Sequence, residues 1–185
     1  MVDNTKDRIL SACNSLLREM PFEKITVSQI VKRSGTSKST FYRYFLDKYD
    51  VLNYNYTKNL DSWIVKGECK NWRELYYYIF SWSKKDAKRE KNAYAVVGTN
   101  SYSKFLHDYS YHIIENMTVS CRGTPLSKEE EFNLSLFCYG GIAMNVDWLA
   151  GKLDYTVDEI TDLIFMAMPV SMRYLWKQPK LNQRL

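Results

Sequence analysis

Glycine and proline are scarce in this chain, seven and four in 185 residues. So few turn formers disfavour a sandwich or barrel built on many tight turns, and they favour helices. Long apolar runs are missing as well, since no stretch approaches the roughly 18 uninterrupted apolar residues of a membrane span. The opening "MVDNTKDRIL" mixes acids with bases and has no long apolar segment, so it does not read as a secretory signal. A cytoplasmic protein without a membrane role is the expectation.

Catalytic and metal-binding patterns are lacking too. Cys13, Cys69, Cys121 and Cys138 are widely spaced and form no C-x-x-C pair, which in a reducing compartment points to isolated thiols. His107 and His112 would stand about 140° apart on a helix, a poor geometry for sharing a metal. Neither an H-E-x-x-H motif nor a Ser-His-Asp or glycine-rich phosphate-loop signature is visible. The sequence therefore gives no reason to expect an enzyme, a metal or a cofactor.

What the chain does have is apolar and aromatic bulk, 45% and 15% of residues, which is ample for a packed core. The net charge of +5 is modest, but its placement is informative. Between Ser28 and Lys48 lie Lys32, Arg33, Lys38, Arg43 and Lys48 against the single acid Asp47. Such local concentration suits a phosphate polymer, although a solvated basic face would look the same.

The same region has the punctuation of three short helices. "TKDRILSACNSLLREM" repeats Ile9, Cys13, Leu16, Leu17 and Met20 at helical spacing, and Pro21 stops it. In "ITVSQIVKRSG", Thr26 and Gln29 form a T-x-x-Q capping box with Ile25 and Ile30 at the staple positions. Gly35 suits a left-handed turn, Ser37 caps a third helix from Lys38 to about Tyr44, and Asp47 caps a fourth. Two short helices joined by a glycine-containing turn make a helix-turn-helix. On a helical wheel Lys38, Ser39, Tyr42 and Arg43 fall within about 140° of one another, with Phe41 and Tyr44 opposite. Phe41 and Phe45 would then pack against Ile30, Val31 and the first helix. Lys38 and Arg43 suit guanine edges or phosphates, Ser39 and Thr40 suit short-range base contacts, and the Tyr42 hydroxyl suits the backbone. Lys48 sits badly for its helix dipole, which a phosphate partner would explain, although an ordinary surface lysine would look the same.

The stretch "ITVSQIVKRSGTSKSTFYRYFLDKYDVL" resembles the N-terminal domain of the tetracycline-repressor (TetR) family of bacterial transcription regulators. The likeness covers about residues 6–52 and rests on a small-Ser-x-x-[ST]-aromatic-Tyr-x-x-Phe pattern followed by a capped, lysine-bearing helix. It implies an all-α chain: a three-helix helix-turn-helix DNA-binding domain (1–47) on a helical domain (48–185) for dimerisation and effector binding, about nine helices in total. It also implies a homodimer on a palindromic operator in double-stranded DNA, most often as a repressor. By resemblance Thr26 is the backbone-contacting cap, and Thr36, Ser37, Lys38, Ser39, Tyr42 and Arg43 form the recognition turn and helix. Lys48 matches a phosphate-contacting lysine. Thr36 departs from a usually apolar position, and Ser39 from a frequent glycine or other small residue.

Beyond Lys48 the pattern is helix after helix. "DKYDVLNYNYTKNLDSWI" is long, and "NWRELYYYIFSWSKK" places Trp72, Leu75, Tyr76, Ile79 and Phe80 on one face. A basic polar stretch, "KKDAKREKN", leads to "AYAVVG". After "SYSKFLHDYSYHIIENM" comes a break at "CRGTPLSKEE", with Ser127 as the next cap. The last two helices are the most apolar. One carries Phe132, Leu136, Tyr139, Gly140, Ala143, Met144 and Trp148; the other, with a Thr156–Glu159 capping box, carries Ile160, Ile164, Phe165, Met168 and Met172, and Pro169 should kink or interrupt it. Phe132, Leu136, Tyr139, Ala143, Ile160, Ile164 and Met168 are candidates for a four-helix dimer interface, and the pattern equally fits monomer core. Tyr76, Phe80, Tyr94, Tyr102, Phe105 and Tyr109 are rich enough to line an effector pocket, or simply to fill a core. An alternative function is an activator or co-regulator whose C-terminal domain docks a protein instead of a small ligand.

Overall fold

A computed structural model describes residues 5–95 and 101–177. Among them the chain is helical throughout: α1 (Thr5–Glu19), a short 3-10 turn (Phe22–Lys24), α2 (Val27–Ser34), α3 (Lys38–Tyr44), α4 (Lys48–Val65), α5 (Trp72–Lys85), α6 (Ala87–Tyr94), α7 (Tyr102–Arg122), α8 (Lys128–Leu149), α9 (Val157–Ala167) and α10 (Val170–Arg173). The fold is all-α. No described helix is long and apolar enough to cross a membrane.

The chain divides into two compact units, Met1–Lys58 with Asp86–Tyr102, and Asn59–Lys85 with Ser103–Leu185. The first therefore runs past residue 47 and takes in α6. Its core is built from Ile9, Leu16, Leu17, Phe22, Ile25, Ile30, Phe41, Phe45, Val51 and Leu52, all buried. The basic polar stretch "KKDAKREKN" supplies most of α6, which packs on α1. Arg89 and Glu90 are only 2% and 1% exposed and pair with each other. Arg89 Nε also donates to Asn14 Oδ1 of α1 at 2.9 Å, and Asn14 Nδ2 donates to Asn55 Oδ1 of α4 at 3.2 Å. Pairing and hydrogen bonding are what make such a burial of charge tolerable. "AYAVVG" ends α6 at Tyr94, and its residues 96–98 lie outside the described residues.

In the second unit α5 packs mainly on α9 and also on α8. Two buried tryptophans are tied to main-chain carbonyls through their indole N–H groups: Trp72 donates to the Leu175 carbonyl and Trp148 to the Tyr155 carbonyl, each at 2.7 Å. Thr156–Glu159 is a complete capping box, as the sequence predicts, and the cap expected at Ser127 is completed into a second box by Glu130. Pro169 interrupts the chain between α9 and α10, where the Arg173 guanidinium donates to the Met168 carbonyl at the end of α9.

The apolar faces of the last two helices differ. On α8, Phe132, Leu136, Tyr139, Ala143 and Met144 all face solvent, Phe132 and Leu136 being 68% and 61% exposed. On α9 the expectation is corrected: Ile160, Ile164 and Met168 are buried within their own chain. The exposed apolar residues there are Leu163, Met166 and Ala167, with Val170 just beyond. A helix with apolar residues on more than one side offers two candidate stripes, and periodicity found the inward one.

Glu130 joins two elements as well as capping α8. Arg122, near the end of α7, grips both its oxygens at 2.6 and 2.8 Å, and the Ser127 N–H adds a bond of 2.9 Å. The Arg122 bond, then the Ser127 amide, and further a bond from Ser171 bring its pKa from the ordinary 4.5 to about 2. A carboxyl depressed in the folded state stabilises the fold above its unfolded pKa and loses that contribution as pH falls through the folded value. The thermal midpoint of Glu130→Gln should therefore lie below wild type at pH 6, and the gap should close between pH 4.5 and about 2. Scanning calorimetry across that range measures it.

Candidate nucleic-acid interface

The turn between α2 and α3 is built by backbone hydrogen bonding. Gly35 takes φ +63°, in the left-handed region that favours glycine, and its N–H donates to the Lys32 carbonyl. The Thr36 N–H donates to the Val31 carbonyl at 3.1 Å, completing a Schellman closure. The hydroxyl of Thr36, the departure from an apolar position, has a partner: it lies 2.8 Å from Ser34 Oγ, itself bonded to the Val31 carbonyl. Ser37 then caps α3, accepting from the Thr40 N–H at 3.0 Å, with the two hydroxyls 2.8 Å apart. At the head of α2, Thr26 and Gln29 form the full capping box, with bonds of 2.8 and 3.2 Å.

The helix between these caps is two-faced. Phe41 and Phe45 are buried, their rings 5.9 Å apart. Lys38, Ser39, Tyr42 and Arg43 are exposed together, and Thr26 and Ser37 are exposed at the two cap positions. Thr36 and Thr40 are half-buried. The Arg43 guanidinium rests 5.0 Å from the Tyr44 ring centroid, while Tyr42 stands edge-on to Phe41 at 5.3 Å. What faces outward is a ridge of hydroxyls with two cations, suited to base edges and phosphate oxygens.

Two other bases of the run serve the protein itself. Arg33 forms a fork with both Glu19 oxygens and donates to Ser15 Oγ at 3.0 Å, tying α2 to α1. Lys48, expected to meet phosphate, has its Nζ 3.0, 3.1 and 2.8 Å from the carbonyls of Phe22, Glu23 and Ile25. Burial pushes its pKa down, opposed by nearby Cys13, Glu23 and Asp47. Sequence reasoning missed these acceptors because backbone carbonyls carry no residue-type signal. Asp47 caps α4 as expected, accepting from the Asp50 N–H at 2.9 Å.

The six aromatics considered for an effector are divided. Tyr94 and Tyr102 stand 5.2 Å apart in the first unit. Tyr76, Phe80, Phe105 and Tyr109 belong to the second. There Phe80 packs edge-on to Trp148 at 5.8 Å, Tyr76 meets Phe137, and Phe105 stacks on Tyr109, whose hydroxyl donates to Asp61.

The sequence from 9 to 54 matches the family model described as bacterial regulatory proteins, tetR family, and that from 70 to 169 matches one described as transcriptional regulator C-terminal region. The chain belongs to the TetR family. No curated protein matches it. This TetR-family protein is similar in structure to a TetR transcriptional regulator from Rhodococcus sp. RHA1, at 14% identity over 93% of this chain and 98% of that one, with a TM-score of 0.64. It is also similar to the dihydroxyacetone kinase operon activator DhaS (12% identity, 91% and 96% covered, TM-score 0.62). A third likeness is to a TetR regulator from Streptococcus agalactiae 2603V (20% identity, 90% and 94% covered, TM-score 0.58). Such identities speak for the fold alone, and the family assignment makes the chain a DNA-binding transcriptional regulator.

Because Phe41 alone anchors the middle of so short a helix, Phe41→Ala should lower the unfolding free energy by about 3–5 kcal/mol. Urea unfolding followed by far-UV circular dichroism would measure the loss.

Proposed function

We propose that this TetR-family chain is a homodimeric repressor that binds a palindromic operator and is released by an effector. The observation that carries the DNA half of this reading is the outward ridge of α3, where Lys38, Ser39, Tyr42 and Arg43 are exposed together beside the Ser37 cap. In this reading Lys38 and Arg43 read guanine edges, Ser39 adds a base contact, and Thr26, Thr36, Ser37, Thr40 and Tyr42 hold the backbone and set register.

Two features support the homodimer. Phe132, Leu136, Tyr139, Ala143 and Met144 on α8 are exposed apolar residues, as are Leu163, Met166 and Val170 on and after α9. In addition, Gly140 and Gly141 sit mid-helix with nothing beyond their own stretch of helix within 4 Å of where a Cβ would be. Each glycine costs a helix interior roughly 1 kcal/mol, and a closely approaching second helix is what would offset that cost. A dimer places two α3 ridges on one duplex, and an effector that favours a spacing away from the roughly 34–36 Å groove repeat would lower affinity. The aromatic richness around Tyr76, Phe105 and Tyr109 supports an effector of unspecified identity. The same α8 face serves a second reading, an activator that docks a protein there; one structural neighbour, DhaS, is described as an operon activator.

Selection of duplexes from a random pool should return a palindrome. On the selected duplex, Lys38→Ala or Arg43→Ala should weaken binding by about 10–100-fold and change the preferred base, since a good bidentate contact carries about 1–3 kcal/mol of discrimination. Equal affinity for selected and random duplexes at every salt concentration would reject sequence-specific regulation. Sedimentation equilibrium should give a dimer for the wild type and a monomer for Leu136→Glu; a wild-type monomer at micromolar concentration would reject the homodimer.

A further inference from the structure

An ammonium group has three N–H bonds and no acceptor. In Lys48 three carbonyls stand within hydrogen-bond distance of Nζ, those of Phe22, Glu23 and Ile25 at 3.0, 3.1 and 2.8 Å, which leaves no donor for an outside oxygen. The ammonium also lies 4.7 Å from the Phe22 ring centroid and 5.5 Å from that of Tyr49. These carbonyls belong to the 3-10 turn and its exit, whose side chains Phe22 and Ile25 are buried. The next residue is Thr26, the exposed cap of α2. Sequence separations of 23 to 26 residues are thus closed at one point, between the first turn of α4 and the approach to α2.

We propose that Lys48 is a positioning residue: its ammonium fixes the backbone of residues 22–25, and thereby the Thr26-capped start of α2, without itself touching phosphate. A cation in the first turn of a helix is unfavourable against the helix dipole. Three carbonyl dipoles aimed at the charge reverse that balance, and the withdrawal of the group from solvent lowers its pKa. Thr26 and its neighbouring amides are then presented to the duplex at a fixed distance from α4. Moving α4 without its lysine would no longer carry the head of α2 along.

This inference rests on the DNA-binding reading, and salt dependence separates it from a direct contact. Each phosphate contact adds about 0.9 to the slope of log K against log[salt], so a lost contact per protomer removes about 1.8 in a dimer. The experiment uses the full chain as wild type, Lys48→Met and Lys48→Arg, on the duplex selected from the random pool, with Lys38→Ala as the charge-loss control. Amide hydrogen exchange is measured over 22–29 without DNA. For Lys48→Met the expectation is an affinity loss of about tenfold, the size of one charge-assisted hydrogen bond, with the salt slope unchanged and faster exchange across 22–26. Lys48→Arg keeps the charge but cannot bring three donors to one point. It should lose affinity and protection likewise, and it decides the matter where the methionine variant fails to fold. A fall of the Lys48→Met slope by about 1.8, wild-type affinity in Lys48→Arg, or unchanged exchange in both variants would each overturn the proposal. Failure of the DNA-binding reading shows separately, as a wild type with no duplex preference.

Discussion

A helix of seven residues cannot hold itself together in water, because nucleation costs more than so few bonds return. The DNA-facing ridge of α3 therefore exists only because Phe41 and Phe45 pin it from behind and Ser37 closes its first turn. Ring burial and hydroxyl exposure are two sides of one constraint. The residues that touch solvent are held in place by residues that never do, and the Schellman closure at Gly35 sets the direction in which the ridge emerges. Ties between neighbouring elements complete the frame: Arg33 with Glu19 across α1 and α2, and Lys48 with the carbonyls before α2.

Much of this frame was legible from residue types. The capping boxes at Thr26 and Thr156 and the cap at Ser127 announce helix starts because the bonding pattern is local and side-chain specific. Gly35 and Pro169 mark their breaks for equally local reasons, and the two-faced character of α3 follows from the 3.6-residue period. What escaped the sequence involved partners without a residue signature. Lys48 bonds to main-chain oxygens that any residues would supply. Arg89 and Glu90 sit in a run that reads as solvated charge, and only their position against Asn14 explains their burial. On α9 both faces are apolar, so the choice between Ile160, Ile164 and Met168 inside and Leu163 and Met166 outside is made by packing against α5.

The second unit shows how a body rich in large rings stays specific. Two of its tryptophans are oriented by single N–H bonds to chain carbonyls, Trp72 to Leu175 and Trp148 to Tyr155, so these rings face one way only. Phe80 and Tyr76 then pack edge-on to Trp148 and Phe137. Against that ordered interior, the apolar stripe of α8 and its open glycines are conspicuous for their exposure, with Tyr139 of that stripe stacked on His107 at 3.8 Å.

The interlocked charges of α6 bear on how the molecule can be cut. Arg89 and Glu90 are next to each other in sequence yet cover α1 from some seventy residues away, Arg89 reaching Asn14 and Asn92 donating to the Leu17 carbonyl at 2.7 Å. A fragment ending at the recognisable motif would strip this cover, baring polar groups that Arg89 and Asn92 satisfy in the whole chain. Chimaeras made by exchanging only the front segment would inherit a first helix tailored to a lid they no longer carry; the exchangeable module is the front segment together with α6.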